Sequence, residues 1–177
     1  KLPDETDCQA SLAKEGHILN AVAQEAPSYE LVVEREMNIP RDKLYRCWTE
    51  PELLKEWFCP KPWTVARAEL DVRAGGSSLI VMRNPEGEEF TNPGVYLEVV
   101  PNERFVSTDA YTSAWVPSER PFMTAIVTFE DLGGGKTRYT ARARHWSEEH
   151  RTAHEAMGFH EGWGKATDQL EELAQTL

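Results

Sequence analysis

CWTEPELLKEWFCPKPW at residues 47–63 and GFHEGWG at residues 158–164 bracket a long stretch of chain that alternates like β-sheet. In the first, Leu44, Cys47 and Trp48 continue an apolar helical stripe that opens after Pro40. Thr49 followed by Pro51 and Glu52 predicts a break and a restart, because proline is accepted in a first helical turn and refused later. Leu53, Leu54, Trp57 and Phe58 then form the apolar side of a second short helix, which Pro60 stops. The second stretch lies in the only long helical pattern, Glu148–Leu177. There Phe159, Trp163, Ala166, Leu170, Leu173 and Leu177 recur at spacings of three and four. Ser147 suits the N-cap. A sheet flanked by such elements has a helix laid across it, and the space beneath that helix is either filled or open.

The strands follow from period-two patterning. Leu31, Val33 and Met37 alternate with Glu30, Glu34 and Glu36, which predicts a strand with one buried face. Ala66, Ala68, Leu70 and Val72 alternate with charged residues, and Gly75-Gly76 turns the chain into Ser77–Arg83. Asn84-Pro85-Glu86-Gly87 is a hairpin turn. Further strands are expected near Phe90–Val100, Arg104–Tyr111, Phe122–Glu130 and Lys136–His145, with Gly133-Gly134-Gly135 between the last two. Ser113–Pro121, with Trp115, reads as a longer rim loop. A strand, two short helices, a run of hairpin-linked strands and a last helix make an α+β domain over 29–177. Residues 1–28 read as a loosely attached extension, with a weak amphipathic pattern at Leu12, Leu19, Val22 and Ala23.

Charge and cysteine usage exclude several classes. The chain of 177 residues carries a net charge of −11. Residues 1–30 hold two lysines against six acids, and residues 147–177 hold two basic residues against seven acids. Acidic ends repel a phosphate backbone, so nucleic acid is not an expected partner. No run of residues is apolar for long enough to span a membrane. Cys8, Cys47 and Cys59 are odd in number and form no Cys-x-x-Cys pair, which points to free thiols, a reducing compartment and a cytoplasmic location.

The last strand suggests where chemistry sits. Lys136, Arg138, Arg142 and Arg144 share one face, so Tyr139, Ala141, Ala143 and His145 point toward the final helix. Small residues there, with Met123, Ala125 and Val127 beside them, leave room for a ligand, although aromatic stripes at helical spacing usually fill cores. His150 and His154 stand four apart on one helix face, a metal-ligand spacing, but no third ligand is evident and no metal is expected. His160, at the edge of the buried stripe, is a candidate hydrogen-bonding or acid–base group. No nucleophile elbow, phosphate loop or dinucleotide fingerprint is present, so no cofactor is expected.

Trp48-Thr49-Glu50-Pro51-Glu52, Trp57-Phe58, Arg73-Ala74-Gly75-Gly76, Pro93-Gly94-Val95-Tyr96, Asn102-Glu103-Arg104, Gly134-Gly135-Lys136-Thr137 and Gly162-Trp163 occur in the order of a known pattern. Over Tyr29–Leu177 the chain resembles the SRPBCC superfamily (START and Bet v 1-like proteins), in its heat-shock protein 90 ATPase activator-like branch. The resemblance implies a helix-grip fold, in which a curved antiparallel sheet wraps the C-terminal helix around a cavity. It strengthens the case for a pocket without fixing the function, because the fold hosts carriers, receptors, cyclases and co-chaperones; a small hydrophobic molecule is the first expected partner. Trp57, Phe58, Met82, Met123, Val127, Phe159 and Trp163 are expected to line the cavity. Tyr96, Tyr111 and His160 are its polar candidates, and Ala125, Ala141 and Ala143 its floor. A heat-shock chaperone is the alternative partner, and a cyclase- or hydratase-like enzyme using His160 or a tyrosine is the third reading. Sheet edges in this fold often pair, so a homodimer is a candidate state.

Overall fold

The computed structural model describes residues 28–177 of the chain, and the patterned stretch Leu12–Ala23 lies outside them. The alternation at the start becomes β1 (Tyr29–Met37), whose Leu31 and Met37 are buried. Helices α1 (Arg41–Thr49) and α2 (Pro51–Trp57) follow, parted at Glu50, whose extended backbone breaks the helical path as the proline spacing predicts. Next come β2 (Thr64–Leu70), β3 (Ser77–Arg83), β4 (Glu89–Val100), β5 (Arg104–Thr108), β6 (Tyr111–Ser113), β7 (Val116–Pro117), β8 (Met123–Gly133) and β9 (Lys136–His145). The helices α3 (Glu148–Ala156) and α4 (Phe159–Ala174) complete the chain.

Among the described residues, seven strands form one antiparallel sheet in the order β1-β9-β8-β5-β4-β3-β2. The α+β, helix-grip reading of the sequence therefore stands. The segment expected as a plain rim loop contains the β6–β7 hairpin, and Trp115 at its tip is 67% exposed and edges onto Tyr111. The pattern over Glu148–Leu177, expected as one helix, is two. Gly158 adopts φ 90°, a left-handed conformation that a residue with a side chain resists, and it ends α3 and redirects the chain. Ser147 caps α3 as predicted, accepting a hydrogen bond from the His150 amide at 3.2 Å.

The outer face of β1 and β9 is a lattice of ion pairs. Glu30 bridges Arg142 and Arg144 at 3.1 and 2.7 Å. Burial alone raises the pKa of Glu30, but the Arg144 and Ser28 hydrogen bonds and the nearby Arg142 charge lower it on balance. On the inner face, the C-terminal part of α4 seats Ala166, Leu170 and Ala174 in the core. Arg35 of β1 holds that end of the helix through Asp168 at 2.6 Å and Glu171 at 3.3 Å. Gln169 ties α4 to the chain after α2. Its amide donates to the Trp57 and Cys59 carbonyls at 2.7 and 2.8 Å, and its oxygen accepts from the Lys61 amide at 3.0 Å.

Candidate functional site

Strand register divides the concave face into a filled part and a part floored by small residues. Across β5, β8, β9 and β1, one row of inward positions reads Ser107, Ala125, Ala143 and Leu31, each facing the next. The adjacent row reads Phe105, Val127, Ala141 and Val33. The second row is packed. Trp48 edges onto Trp57, Phe58 and Phe105 at centroid distances of 4.7, 5.9 and 5.2 Å, and Tyr96 edges onto Phe105 at 5.9 Å. The first row, with hydroxymethyl and methyl side chains, lies toward the N-terminal part of α4, where Phe159 packs with Leu31 and Ala143 and stacks on Trp163 at 4.6 Å.

The residues expected to line one cavity therefore separate into two groups. Trp57, Val127 and Phe159 are at most 2% exposed and belong to the core. Trp57 has a structural task, because its Nε1 donates to the Cys47 carbonyl at 2.9 Å and locks α2 to α1. Phe58, Met82, Tyr111, Met123 and Trp163 are only partly buried, as are Ser107 and Ala125. Of the floor residues, Ala125 is partly open, while Ala141 and Ala143 are fully buried. Ser107 was not legible beforehand, since a lone serine in a short strand carries no signal until its register places it beside Ala125.

Tyr96 supplies the polar character. It is 5% exposed and faces Ser107 across the strands. Burial, and then the neighbouring Tyr45, push its pKa up, so the phenol stays protonated. Its hydroxyl has no hydrogen-bond partner among the described residues, yet it is not sealed off. The buried, unpaired side-chain polar atoms there are Trp48 Nε1 and His150 Nδ1.

His160 is not at this site. It is exposed on the solvent side of α4, with Nε2 3.8 Å from Glu155, which removes the base on which the enzyme reading partly rested. A turn of about 100° per residue carried it past the rim instead of under it. His154 takes the inner place. Its ring lies 5.0 Å from both Phe122 and Phe159 and 6.0 Å from Trp163. Its Nδ1 is 2.9 Å from His145 Nε2, and His145 Nδ1 is 3.0 Å from the Tyr29 carbonyl oxygen. Burial, reinforced by His145, lowers the His154 pKa to about 4. His150, four residues before it, has its ring 6.2 Å from Phe122. Among the described residues no group of three or more His, Cys, Asp or Glu is placed to hold a metal.

Two further concavities lie away from the helix. One, of about 320 Å³, is bounded by Asp42, Asn102, Asp131 and Gly134 at the loop end of the sheet. The other, of about 330 Å³, lies on the outer face over Arg104, Thr128, Thr140, Arg142 and Arg144. Its arginines are already paired, Arg104 with Glu98 and the other two with Glu30. Both are shallow features open to solvent.

A family model described as Activator of Hsp90 ATPase homolog 1-like protein matches residues 38–175, which takes in every element from α1 to α4. The chain belongs to this family. Among solved structures, a Nitrosomonas europaea protein is 44% identical, with a TM-score of 0.79 over 83% of this chain and 94% of that one. A Mycobacterium smegmatis protein is 26% identical, with a TM-score of 0.67 over 82% of this chain and 90% of that one. A structure titled as the AHSA1-like protein of Aeromonas hydrophila is 14% identical, with a TM-score of 0.64 over 83% and 92%, and shows the fold alone. A search of curated proteins returns no match. For this AHSA1-like chain the family settles the architecture, and the site must be argued from its own side chains.

Proposed function

We propose that this AHSA1-like protein binds a small, largely apolar molecule between α4 and the concave face of the sheet. The supporting observation is the row Ser107–Ala125–Ala143, small on three successive strands, beside the partly open side chains of Trp163 and Met123. Apolar walls supply the affinity, and Tyr96 supplies one oriented hydroxyl. The buried free thiols Cys47 and Cys59 suit a reducing, cytoplasmic setting. Native mass spectrometry of freshly purified protein, followed by titration with apolar fluorophores, tests the reading. Absence of any co-purifying molecule together with no quenching of tryptophan emission by any probe overturns it.

Family membership favours a second reading, a protein-interaction role on a heat-shock ATPase. The exposed Trp115 and Val116 of the hairpin would then contact the partner. A change in the ATPase turnover of a heat-shock chaperone on mixing, lost in the Trp115→Ser variant, supports that role. An unchanged turnover with no complex on size exclusion rejects it.

A further inference from the structure

The histidine pair beside the cleft specifies a hydrogen-bonding direction. A carbonyl oxygen can only accept, so the 3.0 Å contact between Tyr29 O and His145 Nδ1 places a proton on that nitrogen. With His145 neutral its Nε2 is a bare acceptor, and the 2.9 Å contact to His154 then requires the proton on His154 Nδ1. His154 is left with a bare lone pair on Nε2. His145 is 5% exposed, and no carboxylate lies within hydrogen-bonding distance of either ring among the described residues, so nothing nearby compensates a charge on the pair. The low pKa of His154 agrees with a neutral ring.

The place of this lone pair matters as much as its direction. The His154 ring is held by Phe122, Phe159 and Trp163, and of these the partly open Trp163 is also a wall of the proposed cleft. His145 lies on the inward face of β9, two residues beyond Ala143 and opposite Met123, so the pair stands beside the small-residue row, in the next row of the register. His154 Nε2 is neither bonded among the described residues nor among their sealed, unpaired atoms. Tyr96, which continues the row onto β4 opposite Ser107, offers a hydroxyl that can donate. An apolar surface formed by Met123 and Trp163 thus borders an acceptor on the histidine pair.

We infer that the ligand of this cleft is an apolar molecule bearing a hydrogen-bond donor, such as a phenolic or alcoholic hydroxyl, which His154 Nε2 accepts, and that His145 acts as the positioning residue fixing that tautomer. The inference rests on the ligand-binding reading given above. Its direct consequence is discrimination between a hydroxyl and its methyl ether, which keeps the shape but cannot donate. A hydrogen bond of ordinary net strength makes this about a five- to tenfold difference in affinity.

The probes are 1-naphthol and 1-methoxynaphthalene, titrated against the full chain by calorimetry and tryptophan fluorescence. The expected result is tighter binding of 1-naphthol by about five- to tenfold. In the H154F variant, which keeps an aromatic ring against Phe122, Phe159 and Trp163, the preference for 1-naphthol over the ether disappears. Equal affinity of wild-type protein for the two probes overturns the donor inference and leaves the cleft reading standing. Binding of neither probe overturns both. Nitrogen-15 NMR of the wild-type imidazoles gives an arm that needs no ligand and no variant. His154 is expected as the Nδ1–H tautomer, and finding its proton on Nε2 at neutral pH overturns the inference.

Discussion

Placing the same leucine at two alanines of the sheet separates an open cleft from a filled core. Ala125 and Ala141 both point to the concave face, on neighbouring strands and in adjacent rows of the register. Ala141 is fully buried between Val127 and Val33 in the cluster that contains Leu170. Three added carbons there must displace packed neighbours, at a cost of about 1–3 kcal/mol. Ala125 is partly open and faces Ser107 and the buried Ala143. The same three carbons enter the cleft and gain apolar contact, so A125L is expected between neutral and about 1 kcal/mol stabilising. Urea unfolding followed by circular dichroism reads both. With a slope of about 2 kcal/mol per molar, A141L lowers the midpoint by about 0.5–1.5 M and A125L leaves it unchanged or raises it slightly. Filling the cleft should also weaken binding of an apolar probe by about tenfold or more. Were A125L to cost as much as A141L, the row would be packed core and the proposed ligand site would not exist.

Other perturbations read other parts of the structure. Replacing Gln169 with alanine removes three hydrogen bonds that join α4 to the chain after α2, and is expected to cost about 2–3 kcal/mol in the same urea assay. Trp57→Phe orphans the buried Cys47 carbonyl and leaves a small void, for a loss of about 2–3 kcal/mol; a loss below about 0.5 kcal/mol would show that the α1–α2 lock is unimportant. Acid destabilises the fold through His154: the unfolded ring takes up its proton near pH 6.5, while the folded ring resists until about pH 4. This contribution is full above pH 6.5 and is lost as the pH falls through that window. It amounts to about 1–2 kcal/mol once partial exposure of the ring is allowed for. Unfolding of wild type and H154F at pH 7 and pH 4 isolates it, and parallel pH profiles would refute it. Burial pushes the Cys47 and Cys59 thiols up to about 11, so both should resist alkylation at pH 8 until denaturant is added, as peptide mapping by mass spectrometry can follow.

Local chemistry was legible along the chain wherever a short stretch contained all its own causes. The alternation of β1, the break before Pro51, the Ser147 cap and the glycine turn after β8 each depend on residues within a few positions. The inward face of β9 was legible too, because four basic side chains on the opposite face cannot be buried together. The split of the final helix was harder to see. Gly158 interrupts no periodicity, and only its left-handed backbone reveals the bend. His160 and His154 show how a site residue is misplaced. Both border apolar positions in the helical pattern, and it takes the bend at Gly158, with His145 arriving from β9, to turn one inward and leave the other in solvent.

The amino-acid sequence by itself determined the main run of elements, the faces that must be buried and the α+β class, since period, caps and turns act over a few residues; the helix-grip architecture came from the family resemblance of its ordered motifs. Only the tertiary structure decided that Trp57, Val127 and Phe159 are core, that Ser107, Ala125 and Ala143 align in one row near Trp163, and that His145 and His154 are hydrogen-bonded. Those outcomes depend on register between strands distant in sequence and on the angle at which one helix crosses them. A one-residue slip would turn every one of those side chains to the opposite face.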